Sequence, residues 1–178
     1  MKKLVFVLVA AMTSHAAVAC EPPLSGAYTF DDVATGTYRS LYVPGKIIIG
    51  EAVGKTFTVE DGQGEDACPV AGRHVAFEVA PGPLRAMSFH SPYKRTTRVA
   101  FDYAKTPGVS ASVFINLDGI SAGSIDLGAT TGHFDYEAPS GASIGSIYVV
   151  ARSADTGGTM RLDNILLNDA TGAAGGGR

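Results

Sequence analysis

The 178-residue sequence has no tryptophan, only two cysteines and little charge: 17% of its residues are Asp, Glu, Lys or Arg. Against 46% hydrophobic residues, that shortage of charge excludes a disordered chain, which would be charge-rich and poor in apolar side chains. A net charge of −3 with no basic cluster excludes a nucleic-acid surface, which needs lysine and arginine gathered on one face. Beyond the first 20 residues no segment has a helical period, and none approaches the roughly 20 apolar residues that span a bilayer, so no transmembrane segment is predicted. No H-x-H or H-E-x-x-H spacing supports zinc, and no G-x-S-x-G elbow marks a nucleophilic serine. The 22 glycines follow no G-X-Y period and point to many turns.

What is present begins with an address. Lys2 and Lys3 precede a short apolar run over residues 4–12, and Ala17-Val18-Ala19 supplies small residues before a cleavage point. Residues 1–19 are therefore predicted to be a signal peptide, and the protein to be exported to the periplasm, the cell surface or the medium. Export makes a disulfide between Cys20 and Cys68 the favoured pairing. It would close about 48 residues and stabilise by roughly 4 kcal/mol. Cys20 also admits a lipid anchor, because the small-residue box directly precedes it, although Ala17 stands where such boxes usually carry leucine.

From residue 20 onward the pattern is one of short strands and turns. Residues 41–43 and 47–49 flank Pro44-Gly45, and KTFTVE over 55–60 alternates before Asp61-Gly62. Residues 61–73 are predicted to be a long loop. Over 74–79, Val75, Phe77 and Val79 share one face, and His74, Ala76 and Glu78 the other. Further strands are predicted at 28–30, 86–89, 98–103, 133–137, 143–152 and 159–168. The strongest local signal is the hairpin VSASVFINL-DG-ISAGSIDL, turning at Asp118-Gly119. About ten strands at short, even spacing predict an all-β, jelly-roll-like antiparallel sandwich forming one domain over residues 20–169, followed by a Gly/Ala-rich tail at 170–178.

Two motifs carry a resemblance. Phe30-Asp31-Asp32-Val33-Ala34-Thr35-Gly36-Thr37 is similar to the opening, and Arg161-Leu162-Asp163-Asn164-Ile165-Leu166-Leu167 to the last strand, of exported bacterial β-sandwich proteins. The pattern resembles galactose-binding-like jelly rolls, among them carbohydrate-binding modules and PEP-CTERM-type proteins, without the sorting tail of the latter. The resemblance implies a structural calcium between first and last strands, with Asp31, Asp32 and Asp163 as carboxylate ligands and the Thr35-Gly36-Thr37 turn as a source of oxygens. Asp31 and Asp32 equally suit turn capping, and Asp163 an ion pair.

For function, the expectation is non-catalytic binding of a glycan or another envelope component. Tyr93, Arg95 and Tyr103 are the candidate binding residues: flat rings, with a guanidinium beside them in the polar loop at 88–97. The alternatives are a structural or adhesive surface protein with no small-ligand site and, less favoured, a hydrolase.

Overall fold

The computed structural model describes residues 24–62, 70–91 and 95–168. The predicted signal peptide, both cysteines, Tyr93, Lys94 and the tail lie outside the described residues. Twelve strands follow in order: β1 (Gly36–Tyr38), β2 (Ser40–Val43), β3 (Ile47–Glu51), β4 (Phe57–Gly62), β5 (Gly72–Val79), β6 (Arg85–His90), β7 (Arg98–Lys105), β8 (Val109–Leu117), β9 (Ile120–Asp126), β10 (Thr131–Glu137), β11 (Ile144–Ser153) and β12 (Gly158–Leu167). They form two six-stranded antiparallel sheets, in the orders β1-β4-β5-β12-β7-β10 and β2-β3-β6-β11-β8-β9.

The pairing has a simple generator. β8 pairs β9, β7 pairs β10, β6 pairs β11 and β5 pairs β12, all antiparallel. This is one long hairpin, folded at Asp118-Gly119 and then rolled so that its successive strand pairs fall alternately on two sheets. The result is a jelly roll. Asp118 and Gly119 both have positive φ, 49° and 86°, as a tight hairpin tip with right-handed strand twist requires. β1 and β4 extend the first sheet, and β2 and β3 the second.

Strand alternation supplies the core. In β8, Val109, Ala111, Val113 and Ile115 turn inward, and in β11 Ile147, Val149 and Ala151 do the same. Phe57, Phe77, Phe89 and Phe101 are fully buried between the sheets, with Phe101 stacked on Phe134 at 4.9 Å between centroids. Phe30 joins them from the segment before β1, where a left-handed backbone (φ 60°) turns its ring inward. Residues 28–30 form an isolated bridge rather than a strand: Tyr28 pairs Ile165 through backbone hydrogen bonds of 2.9 and 3.0 Å. The predicted turn at Asp61-Gly62 is also corrected. β4 runs through both residues, because Asp61 pairs Arg73 and Gly62 pairs Gly72.

The Asp163-Asn164 motif forms a bulge in β12. Asp163 opposes Asp102, but the next register pair is Leu166 with Ala100. The extra residue is accommodated by Asn164 at φ 51°, a conformation asparagine tolerates better than most residues. The bulge swings Ile165 into the core and leaves Asp163 on the outer face of the first sheet.

Candidate functional site

The residues expected to bind calcium take three different environments. Asp32 accepts a hydrogen bond from the Tyr28 hydroxyl. Burial first, and this carboxylate second, push that hydroxyl's pKa above its ordinary range. Asp31 accepts from Thr29 Oγ1 at 2.8 Å. Asp163 is buried and accepts from the Asn164 backbone N–H at 2.7 Å. Its pKa is pushed up to about 7, chiefly by desolvation, with repulsion from Asp102 and Asp31 adding to it. Asp102 is itself held by His133 Nδ1 at 2.8 Å and by Asn164 Nδ2 at 2.6 Å. Among the described residues no three carboxylates, imidazoles or thiols converge on one metal position.

Of the residues expected to bind ligand, Tyr93 lies outside the described residues, and Tyr103 and Arg95 take different environments. Tyr103 points into the core at 5% exposure, its ring packed so closely under Gly132 that a Cβ there would lie 2.8 Å from the hydroxyl. It offers no open face for a sugar, and burial pushes its pKa up. Arg95 is exposed, but its guanidinium donates to the Gly141 carbonyl. The loop reading of 88–97 is corrected in part, since β6 carries Ser88 to His90.

The outer face of the second sheet carries the better site. Outward positions there fall in rows set by the register. One row crosses the sheet: Ser40, Gly50, Ser88, Tyr148, Phe114 and Ser124 are successive partners. Tyr148 and Phe114 are direct cross-strand partners on adjacent strands, about 4.8 Å apart in the pairing direction. Phe114 is 40% exposed and Tyr148 half-buried. Polar groups flank them. Asn116 Nδ2 donates to Ser146 Oγ at 2.8 Å, and Ser112 Oγ to Asp126 Oδ1 at 2.6 Å. A further pairing sets exposed Tyr42 beside Ile48, and Ile48 beside His90.

The face opens at one end into a groove of about 630 Å³, lined by Phe114, Val150, Ser112, Asp126, Arg152 and Lys105 among others. Sequence reading passed over Phe114 and Tyr148, yet their signal was there. In VSASVFINL the inward set is Val113, Ile115 and Leu117, so Phe114 stands among Ser112 and Asn116 on the polar face. An aromatic on the wrong face of an alternating strand is the clue. Tyr148 in SIGSIYVVAR repeats it.

No family model and no curated protein matches the sequence. Among solved structures, similarity is found to a family 11 carbohydrate-binding module from Clostridium thermocellum bound to a mixed-linked tetrasaccharide. It has 14% identity, a TM-score of 0.37, and coverage of 75% of this chain and 87% of that one. The carbohydrate-binding module CBM36, in complex with calcium and xylotriose, matches with 19% identity and a TM-score of 0.32, over 67% of this chain and 98% of the module. The secreted serine protease VesC from Vibrio cholerae matches with 13% identity and a TM-score of 0.40, over 63% of this chain. This chain spans only 24% of that protease's length. At these scores the likenesses carry no residue-by-residue correspondence.

Proposed function

We propose that this chain is an exported, non-catalytic glycan-binding protein that holds saccharide on the outer face of its second sheet. The observation that carries the reading is the Tyr148–Phe114 pair, two aromatic residues opposite each other on the outer sheet face with polar residues flanking them. A sugar ring has an apolar C–H face that stacks on an aromatic side chain and hydroxyls that need partners at its rim. Asn116, Ser146, His90 and Ser112 supply donors and acceptors around the two rings. Among the described residues Asp126 is the one carboxylate lining the adjoining groove, and it is held by Ser112, so the described lining offers no pair of acids for glycoside hydrolysis.

The test is a panel of soluble polysaccharides in affinity electrophoresis, followed by calorimetry on those retained. Tyr148→Ala and Phe114→Ala are each expected to weaken binding at least tenfold, about 1.4 kcal/mol or more. Melting temperature should hold within a few degrees, because both rings are at the surface. Retention that neither substitution alters would overturn the site. A panel with no retention would favour the structural or adhesive role.

The resemblance also implies a resident calcium, and the described residues do not fit one. The carbonyl oxygens of Asp31 and Val33 accept from Arg73 Nη1 at 2.9 and 2.8 Å, and Asp61 accepts from Arg73 Nε at 2.8 Å. A guanidinium thus already supplies positive charge at the turn where the ion was expected. Melting in millimolar calcium and then in excess chelator is expected to give superimposable curves. Occupancy at a hundredfold excess over the dissociation constant would add about 2.7 kcal/mol and shift the melt by several degrees. Such a shift, lost in Asp163→Ala, would restore the calcium.

A further inference from the structure

We infer that the groove beside Phe114 takes a carboxylate-bearing sugar unit, with Arg152 as the residue that recognises the acid. The inference deepens the glycan-binding reading and rests on it. Its starting point is the state of the arginines. Arg73, Arg85, Arg98 and Arg161 are each engaged with a carboxylate. Arg152 is exposed, and its side chain has no hydrogen-bond or ion-pair partner among the described residues. It lines the groove two register pairs beyond Val150–Ser112, opposite Ser110.

The surroundings favour an anion. Lys105 lines the same groove and spends one ammonium proton on the Val109 carbonyl at 2.9 Å, which leaves two donors. The single acid among the described lining residues, Asp126, is occupied by the Ser112 hydroxyl at 2.6 Å. Two cations to one anion is a local excess of positive charge in a chain whose net charge is −3. Such an inversion attracts an acidic ligand into the groove and disfavours a neutral one only weakly.

Shape and chemistry narrow the ligand further. The groove's 630 Å³ lies within the range of small-molecule sites. Phe114 and Val150 give it an apolar wall, and Ser110 and Ser112 hydroxyl-bearing rims. A planar guanidinium matches a planar carboxylate through two parallel N–H···O bonds. A pyranose with a carboxyl group meets all three demands: a C–H face for the ring, hydroxyls for the serines, and an acid for Arg152.

The experiment compares the full mature chain on polygalacturonate, its methyl ester, a neutral polysaccharide, and a sulfated polymer of neutral sugars. Polygalacturonate is expected to bind at least tenfold more tightly than its methyl ester. Arg152→Gln is expected to erase that preference with the melting temperature unchanged, whereas Phe114→Ala weakens acid and ester alike. If neutral sugars bind through Phe114 but acid and ester bind equally, the inference fails and the glycan-binding reading stands. If the sulfated polymer matches polygalacturonate, charge alone is being read and the carboxylate assignment fails. If none of the four binds, both fall.

Discussion

Glu51→Ala is expected to lower the melting temperature by roughly 6–20 °C, the thermal equivalent of losing about 3–5 kcal/mol when one partner of a buried ion pair is removed. The Glu51 side chain is 0% exposed and lies among core residues at the end of β3. One carboxylate oxygen accepts from Arg85 Nε at 2.9 Å, and the other takes the backbone N–H groups of Val53 and Lys55 at 3.0 and 2.7 Å. Arg85 in turn donates to the carbonyls of Glu78 and Thr56 at 2.7 and 2.8 Å and stands 6.0 Å over the Phe77 ring. The pair therefore ties β3 and β6 of the second sheet to the ends of β4 and β5 in the first. Alanine would leave Arg85 charged, largely desolvated and short of its carboxylate, with two amides unpaired. Glu51→Gln keeps an acceptor and most of the volume, so it should lose only about 1–3 kcal/mol. A thermal melt of the two variants decides the matter. An alanine variant that melts within about 2 °C of the parent would show that the pair contributes nothing net.

The second large effect is a pH dependence carried by Asp163. Its folded pKa of about 7 lies well above the ordinary value of 3.8. Below about pH 4 the carboxyl is protonated in folded and unfolded chains alike, and it imposes no penalty. Between about pH 4 and pH 7 the unfolded chain ionises first, so stability falls as pH rises; above pH 7 the loss levels off. Keeping that charge in the folded chain costs roughly 4 kcal/mol across the window. Asp163→Asn removes the titration, so the stability difference between variant and parent should grow by a few kcal/mol from pH 4 to pH 8. The check is urea unfolding at each pH. Parallel curves for variant and parent would show that Asp163 titrates as an ordinary aspartate.

Much of the fold was legible because β-structure writes a period of two into the chain. The alternation in 74–79 and in VSASVFINL assigned inward faces, and Asp118-Gly119 marked a turn that proves to be the tip of the whole rolled hairpin. Local pattern failed where pairing was decided at a distance. Asp61-Gly62 has turn composition, yet it stays in a strand because Arg73 and Gly72 lie alongside. Residues 28–30 look β-prone, yet they find a partner only at Ile165, more than 130 positions away.

The candidate site shows the same division. Sequence weighting favoured Tyr103 and Arg95 for their residue types, but Tyr103 sits on the inward phase of β7 beside Val99 and Phe101. Its burial follows from a register that could have been counted, whereas Arg95's capture by Gly141 could not. Phe114 and Tyr148 were each legible as outward aromatics, but nothing in the chain order said that they meet. They lie 34 positions apart and become neighbours only because the rolled hairpin sets β8 against β11.

The sequence alone determined that this is an all-β protein, which face of its clearly alternating strands turns inward, and where the central hairpin turns, because those properties are set by neighbours a few residues apart. Tertiary structure alone decided which strands pair. It thereby gathered Tyr148, Phe114 and Arg152 on one face, buried Glu51 with Arg85, and left Asp163 where its charge is costly. Each of those outcomes depends on contacts between residues far apart in the chain, and the local pattern of side chains does not encode such contacts.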